Sequence, residues 1–322
     1  MINWLEIFKF DPIFPIMTST NKAILYHSSR DLLDENVEPI EILWELDPVK
    51  RILRKQLKDG SWKMPGKPDQ YGENKYLVET YKMLGLLIEK YGLNKNNTAI
   101  EKAAEYVFTC QTEEGDFRGI YATQYSPNYT GGILELLIKA GYENDSRVKK
   151  CFEWLLSIRH DDGGWAIPML PMGVHWLEAY KQADPIQPDR SKKSSHWVTD
   201  VVLRAFAAHP SYRKYKEAYE AGTFLASRFF RSDNYSSRQK PEYWLKLAFP
   251  FWWGDLLSSL DSLSQLGFNK NELQIRKSLS WFVENQREDG LWTLKNLKWR
   301  GDKEVSKWIN YAICRMFKRF YL

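Results

Sequence analysis

The sequence has few cysteines and no long apolar run. The three cysteines, Cys110, Cys151 and Cys314, are odd in number and far apart. This excludes the disulfide framework of small secreted domains and is typical of buried thiols in a reducing compartment. No stretch of 18 apolar residues occurs, so the sequence predicts no transmembrane helix. Residues 1–17 also lack the basic and apolar regions of a signal peptide, and we therefore expect a cytoplasmic protein.

The net charge is also low. The chain carries 46 Lys and Arg against 41 Asp and Glu, a formal charge of +5, and the two signs are interleaved. This excludes the basic stripe of a nucleic-acid-binding protein, so we predict no nucleic-acid partner. The densest basic clusters, Lys192-Lys193 and Arg315 to Arg319, are typical of solvated surface. Peripheral contact with a membrane surface or a phosphate group is the alternative that they leave open.

Aromatic residues, by contrast, are abundant, with 14 Trp, 18 Tyr and 16 Phe. Most rings of this kind pack between helices. Their excess leaves enough rings to line a cavity.

A polar turn that ends on an aromatic ring occurs four times. Its copies are residues 56–62 (Gln-Leu-Lys-Asp-Gly-Ser-Trp), 111–117, 159–165 and 286–292. Each copy follows a segment with helical spacing of apolar residues, and the glycine lets the chain leave that helix. We interpret the ring as a contact with the neighbouring repeat. The acids before it, including Asp161-Asp162, are then part of the scaffold.

The turns divide the chain into helix pairs with almost no strand signal. A helical hairpin of this length cannot bury its apolar face alone, so neighbouring pairs must stack. If the stack closes, the second helices line an inner ring and the first helices an outer one. The fourth pair lacks the glycine turn. The five predicted pairs are 49–57 with 76–91, 98–111 with 128–140, 146–158 with 197–208, 215–230 with 252–266, and 272–286 with 304–320.

Two segments do not fit the repeat. Residues 1–40, with one helix predicted at 21–33, are interpreted as an N-terminal cap over the first repeat, within a single domain of 322 residues. Residues 166–195 form a proline-punctuated insertion before the helix at Trp197. Loops of this length in a compact domain are often functional. Our preferred hypothesis is a lid over the mouth of the ring, and a surface excursion or an oligomer contact is the alternative.

The turns, above all Gln56, Gly60 and Trp62, resemble the Q-x-x-x-G-x-W repeats of squalene and oxidosqualene cyclases. The β subunits of protein prenyltransferases use related repeats. The resemblance covers about residues 45–320 and implies an all-α fold, an α/α toroid of about five helix pairs plus the N-terminal lead-in. The chain has about half the size of a typical two-domain triterpene cyclase. Activity does not follow from the fold, because function belongs to sites placed on it.

The catalytic motifs of these families are not matched. Squalene–hopene-type cyclases protonate their substrate with a D-x-D-D-T-A motif, and the nearest match is residues 195–200 (Ser-His-Trp-Val-Thr-Asp). Thr199 matches, but Ser195, Trp197 and Val198 occupy the three acidic positions. The sequence has no Asp-x-Cys pair of the kind that holds zinc in prenyltransferases, and Cys314 has no evident companion ligands. We therefore predict no metal and no cofactor.

In such a toroid the starts of the inner helices surround the mouth of the cavity. Asp200, Asp255 and His196 are our candidates for proton transfer. Acids near helix N-termini are more often dipole partners than catalysts, and His196 is most simply part of the turn into its helix. A structural role and a catalytic role therefore both stay open for these residues. Asp261, deeper in its helix, is a further candidate for a general acid. Aromatic rings suit an apolar ligand or a carbocation, and the candidate ligand-binding residues are Tyr129, Trp197, Trp252, Trp253, Trp308, Tyr311 and, from the insertion, His175.

Three functions are compatible with these features. The first is an enzyme or carrier that acts on an isoprenoid-like lipid, a hydrophobic small molecule, in the central cavity. The second is a carbohydrate-active enzyme with paired carboxylates, and the third is a non-catalytic interaction protein on the same scaffold. A cavity walled by apolar and aromatic side chains favours the first. An open polar cleft with two facing carboxylates favours the second, and a filled lumen favours the third.

Overall fold

The computed structural model describes residues 4–63, 76–235, 239–292 and 304–322. Within these ranges the chain is helical, and strand-like pairing is limited to isolated bridges. A π-helical segment, Ile138–Tyr142, extends the sixth α-helix. The α-helices of the described ranges are, in chain order, α1 (Ile13–Met17), α2 (Lys22–Asp31), α3 (Asp47–Leu53), α4 (Leu77–Tyr91), α5 (Thr98–Thr109), α6 (Pro127–Leu137), α7 (Ser146–Ser157), α8 (Trp176–Ala179), α9 (His196–Ala208), α10 (Lys216–Ser227), α11 (Leu256–Gln265), α12 (Leu273–Glu284) and α13 (Val305–Tyr321).

Several of these helices pack side by side as a closed ring. Around the ring, α4 contacts α6, α6 contacts α9, α9 contacts α11, and α11 contacts α13; α13 then contacts α2, which returns to α4. The outer helices lie against this ring, with α3 and α5 on α4, α7 on α6, and α10 on α9 and α11. The fold is all-α, an α/α toroid, as the sequence predicted.

The N-terminal segment closes the ring. Helix α2 lies between α13 and α4, and α1 contacts both α2 and α13. On α2 the apolar residues Ala23, Ile24 and Tyr26 are buried. The sequence interpretation placed this segment as a cap over the first repeat. In the structure it forms a further helix pair, because its apolar face fills the space between the last and the first inner helices.

The glutamine that begins three of the four turns joins neighbouring repeats, and the third turn has Arg159 at this position. Nε2 of Gln56 donates to the carbonyl oxygen of Gly60 in its own turn, at 2.9 Å, and to that of Ala99 in α5, at 2.7 Å. Nε2 of Gln111 makes the matching contact with the carbonyl oxygen of Arg147 in α7, at 2.9 Å. The glutamine therefore fixes the next outer helix against the turn.

The last turn makes the same contact with the N-terminal segment. Nε2 of Gln286 donates to the carbonyl oxygen of Phe10 at 2.9 Å, and its Oε1 accepts from the amide of Phe10 at 3.1 Å. A Cβ atom on Gly290 would lie 2.1 Å from the carbonyl oxygen of Asp11, so the turn needs glycine there. The seam between the two ends of the ring is thus built like the other repeat boundaries.

The tryptophan that ends three of the four turns is held inside its own repeat, and the second turn ends on Phe117. Trp165 is fully buried, its indole N–H donates to the carbonyl oxygen of Leu155 at 2.7 Å, and its amide donates to Oγ1 of Thr199 at 3.0 Å. The indoles of Trp62 and Trp292 bond the carbonyl ten residues upstream in the same way. Each turn therefore ties an outer helix to the protein interior.

The cysteines are free and buried. Burial raises the pKa of the Cys110 thiol to about 11. The thiol is therefore protonated and unreactive at neutral pH, as expected of a cysteine that only packs. Among the helices described, none has both the length and the hydropathy that crossing a bilayer requires.

Candidate functional site

A cavity of about 350 Å³ lies at one end of the ring, where the inner helices begin. Residues from the N-terminal halves of α4, α6 and α9 meet there with the segment that precedes α11. Nine aromatic side chains line the cavity, namely Tyr81, Tyr121, Tyr129, Trp176, Tyr180, Trp197, Tyr235, Trp252 and Trp253. The remaining lining residues are Asn128, Ile167, Met169, Leu170 and Val201. Its volume falls in the range of small-molecule sites, roughly 300–1,000 Å³.

The rings of the cavity pack on one another. Tyr81 stacks on Trp252 with centroids 4.6 Å apart, and Tyr129 lies edge-on to Tyr81 at 6.1 Å. Tyr81 reaches this position because Gly132 leaves space for it: a Cβ atom there would lie 2.3 Å from the Tyr81 hydroxyl. A neighbouring glycine, Gly131, lets α6 approach α9, since its Cβ would lie 2.7 Å from the Cα of Val202. The Gly-Gly pair of α6 therefore shapes this side of the cavity.

The insertion, residues 166–195, supplies one wall of the cavity. Ile167, Met169, Leu170, Trp176 and Tyr180 belong to it and line the cavity. The insertion therefore borders the cavity. Whether the insertion opens and closes as a lid stays a prediction.

Gln124 holds the insertion in place. Its side chain is 2% exposed, and Nε2 donates to the carbonyl oxygens of Ala179 at 2.8 Å and Asp184 at 3.3 Å. Its Oε1 accepts from the amide of Ile186 at 2.9 Å. One buried amide thus satisfies three backbone groups of an irregular segment that has little secondary structure of its own.

Asn128 is the amide side chain in the cavity wall. It lies in the first turn of α6 and is 6% exposed. Its Nδ2 donates to the hydroxyl of Tyr121 at 3.2 Å. Its Oδ1 is buried and has no hydrogen-bond partner among the described residues.

Charged side chains fill the centre of the ring below the aromatic layer. Nε of Arg204 lies 2.9 Å from Oε2 of Glu135, and both side chains are almost fully buried. Glu135 also pairs with Lys139 at 2.7 Å, and Lys139 contacts Glu89. Nη2 of Arg204 donates to the Tyr81 hydroxyl at 3.4 Å. Burial raises the pKa of Tyr81 well above its usual value, so its hydroxyl stays neutral in the cavity wall.

Asp200 lies behind the cavity wall, next to the lining residue Val201. It is fully buried, and its carboxylate accepts from the hydroxyls of Ser258 at 2.9 Å and Ser259 at 2.6 Å. Burial raises the pKa of Asp200 to about 6, against the opposing effects of Arg204 and of the two hydroxyls. The carboxylate therefore joins α9 to α11.

Asp255 is the N-cap of α11. Its carboxylate accepts from the amides of Ser258 at 2.8 Å and Ala248 at 3.0 Å, and the Ser258 hydroxyl accepts from the Asp255 amide at 3.0 Å, which completes a capping box. Burial raises the pKa of Asp255 to about 8, although both amides favour the charged form. Asp255 fixes the segment that carries Trp252 and Trp253.

His196 begins α9 on a side that does not line the cavity. Its ring stacks on Trp244 with centroids 4.4 Å apart, and its Nδ1 lies 3.2 Å from Oδ1 of Asp233. Burial lowers the pKa of His196 to about 4, against the effect of the Asp233 carboxylate. Asp233 also accepts from the His196 amide at 2.9 Å and the Ser195 hydroxyl at 2.8 Å, so this group anchors the start of the helix.

Three of the predicted ligand-binding residues lie outside the lining of the cavity. Trp308 is fully buried and stacks on Phe249 with centroids 5.5 Å apart. Tyr311, one turn further along α13, donates to the carboxylate of Asp31 on α2. His175 is the exposed N-cap of α8, with Nδ1 accepting from the amide of Leu177 at 3.3 Å. The other four, Tyr129, Trp197, Trp252 and Trp253, meet in the cavity.

A second pocket, of about 190 Å³, lies among the last turns of the inner helices. Arg315 and Arg319 contact the carboxylate of Asp261 there, at 3.2 and 2.7 Å. Burial alone would raise the pKa of Asp261, but the two guanidinium groups hold it down to about 2. Cations at helix C-termini complement the helix dipoles. Asp261 is therefore an ionised pairing group in this structure.

Sequence reasoning missed several lining residues. Tyr81 lies four residues after Leu77 on the apolar stripe of α4, so helical spacing marks it as inward-facing. Tyr121, Met169 and Tyr180 belong to irregular segments, where no periodicity indicates which side chain faces inward. Contacts between the two segments, among them those of Gln124 and the stacking of Tyr121 on Tyr180, bring these residues together.

Within the described ranges, no three His, Cys, Asp or Glu side chains are grouped so that they could hold a metal ion.

The sequence matches no protein-family model and no curated protein. Solved structures with a similar fold include a ligand-free variant of the type II terpene cyclase MstE from Scytonema. That protein is 13% identical, with 98% of this chain and 86% of that chain covered and a TM-score of 0.45. The ent-copalyl diphosphate synthase from Streptomyces platensis is 12% identical, with 92% of this chain and 51% of the synthase chain covered and a TM-score of 0.44. An α-amylase from Clostridium perfringens is 13% identical, with 85% of this chain and 79% of the amylase chain covered and a TM-score of 0.40.

The chain is similar to these proteins in fold alone. Two of the three are terpene cyclases, the class of protein that the repeated turns resemble. At these identities and TM-scores the likeness says nothing about the chemistry of the cavity, which has to be argued from its own residues.

Proposed function

We propose that the protein binds an isoprenoid-like, apolar small molecule in the aromatic cavity. The observation that carries this proposal is the set of nine aromatic rings around one cavity of about 350 Å³. Aromatic faces bury apolar surface and attract positive charge. Such a wall therefore suits a branched hydrocarbon chain, or a carbocation formed from one.

The rings are held in place before a ligand arrives, which lowers the entropic cost of binding. The stack of Tyr81 on Trp252 fixes one side, and the Asp255 cap fixes the segment that carries Trp252 and Trp253. The hydrogen bonds of Gln124 fix the opposite wall. The proposal concerns binding. Asp200, Asp255 and His196 remain proton-transfer candidates, each with protein partners, and are assigned no step here.

Titration with farnesol tests the proposal, with intrinsic tryptophan fluorescence as the measurement and native mass spectrometry as the second readout. Four lining residues are tryptophans, so we expect saturable quenching and a one-to-one complex. Trp252→Leu should weaken binding at least tenfold, because a large ring buried against the ligand contributes roughly 1.5–3 kcal/mol.

Trp281→Leu is the matched control. Trp281 is partly buried on α12, away from the cavity, and its removal should leave the affinity for farnesol unchanged. If neither farnesol nor geranylgeraniol binds saturably to the wild-type protein, the proposal is wrong. Saturable binding of maltotriose instead would favour the carbohydrate-active alternative.

A further inference from the structure

Asn128 places a buried amide oxygen in the wall of the cavity. Oδ1 of Asn128 has no hydrogen-bond partner among the described residues, although the side chain is 94% buried, its exposed fraction being 6%. Nδ2 of the same amide donates to the Tyr121 hydroxyl at 3.2 Å. With Nδ2 on Tyr121, the acceptor end of the amide is the end left over.

An unpaired buried acceptor destabilises the folded protein, because the atom has lost its hydrogen bonds to water without gaining another partner. Buried amides elsewhere in the chain avoid this cost. Gln124, also buried, uses Nε2 on Ala179 and Oε1 on Ile186, and Gln286 uses both its atoms on Phe10. Asn128 differs from both because it lines a cavity.

We propose that Oδ1 of Asn128 accepts a hydrogen bond from a hydroxyl group of the ligand. The inference rests on the proposed function, and it narrows the ligand class from apolar isoprenoids to isoprenoid alcohols. The aromatic rings bind the hydrocarbon part, while Asn128 fixes the end that carries the O–H group. A site built to bond a hydroxyl rejects analogues that cannot donate, because its own polar atom then stays unpaired.

Two ligands of nearly equal size separate this inference from general apolar binding. Farnesol has a hydroxyl donor, and farnesyl methyl ether has the same chain and an oxygen that only accepts. Isothermal titration of the wild-type protein should show farnesol binding about 3- to 10-fold more tightly, the range expected for one neutral hydrogen bond.

The same pair of ligands is then measured on variants. Asn128→Leu removes the acceptor and should reduce the farnesol preference to less than about twofold, whereas Asn128→Asp keeps an acceptor and should keep the preference. Asn96→Leu, the same substitution at an exposed position away from the cavity, should behave as the wild type. If Asn128→Leu does not fold, equal affinity of the wild type for the two ligands still overturns the inference.

Each outcome has one meaning. Equal affinity of the wild type for the alcohol and the ether overturns the inference and leaves the proposed function standing, since the rings alone then account for binding. A farnesol preference that survives in Asn128→Leu also overturns it, because another group then supplies the acceptor. Failure of both ligands to bind overturns the proposed function and this inference with it.

Discussion

At the scale of single residues, the three candidates for proton transfer all have structural partners. Asp255 caps a helix, Asp200 joins two inner helices through serine hydroxyls, and His196 packs between Trp244 and Asp233. The sequence places each of them correctly at the start of an inner helix. It does not specify the direction of the side chain within that turn, and this direction decides whether an acid faces the cavity or the protein.

The raised pKa of Asp200 predicts how stability changes with pH. Burial lifts the pKa of Asp200 from 3.8 to about 6, so the folded chain holds this proton more tightly than the unfolded chain. The folded state is therefore favoured at low pH, and this contribution is lost as the pH rises from about 4 to about 6. The difference between the two pKa values corresponds to roughly 3 kcal/mol in the free energy of unfolding. Asp200→Asn should raise the melting temperature at pH 7 and have a smaller effect at pH 4.

Asp261→Asn is the control, because its expected effect on the melting temperature at pH 7 is opposite to that of Asp200→Asn. The pKa of Asp261 is held down to about 2, so its carboxylate stabilises the fold at neutral pH and loses that effect only near its folded pKa. This variant should melt at a lower temperature than the wild type at pH 7. Thermal melts at both pH values check the pair. An Asp200→Asn protein that is less stable at pH 7 than the wild type would contradict the assignment.

At the scale of elements, the four repeated turns are structural. The Trp165 ring is fully buried, and it bonds Leu155 on one side while its amide bonds Thr199 on the other. Trp165→Ala should cost about 3–5 kcal/mol and lower the melting temperature on the order of 10 °C. Trp176→Ala, at a half-exposed ring, should change the melting temperature little. A Trp165→Ala protein that melts like the wild type would show that the turn does not hold the repeat together.

Gln124 makes more of the hydrogen bonds that hold the middle of the insertion than its neighbour Thr123 does. Gln124→Ala removes the buried amide that bonds Ala179, Asp184 and Ile186. We expect faster limited proteolysis within residues 166–195 and weaker farnesol binding, since this segment forms a wall of the cavity. Gln182→Ala is the control, because Gln182 is exposed and bonds Thr123 and Ala179 through its backbone. Unchanged cleavage in Gln124→Ala would mean that the insertion is held by other contacts.

The sequence predicted the elements better than the contacts between them. Helical spacing and the recurring glycine gave the pairs, because both are local properties of the chain. Four of the seven candidate ligand-binding residues meet in the cavity. Trp308 and Tyr311 were assigned from their place near a helix start, but they face α2, a neighbour that the repeat pattern did not place in the ring. The insertion has no period, so its lining residues could not be predicted.

At the scale of the whole molecule, the two ends of the ring have opposite chemistry. The starts of the inner helices carry aromatic rings around a cavity, and their ends carry paired charges around a smaller pocket. Arg204, Glu135, Lys139 and Glu89 form a chain of buried ion pairs. The chain begins beside the aromatic cavity, where Arg204 bonds the Tyr81 hydroxyl, and it ends at Lys139 and Glu89, which line the smaller pocket.

The seam at Gln286 has a consequence for how the chain folds. Its bonds to Phe10 join residues 276 positions apart, whereas the equivalent bonds of Gln56 and Gln111 span 43 and 36 positions. Closing a longer loop costs more chain entropy, and contacts of large sequence separation form slowly. We therefore expect the pairs to assemble first as an open arc of neighbours, with the seam as the last boundary to form. By the same reasoning, we expect the seam to be the first repeat boundary that loses its contacts when the protein unfolds.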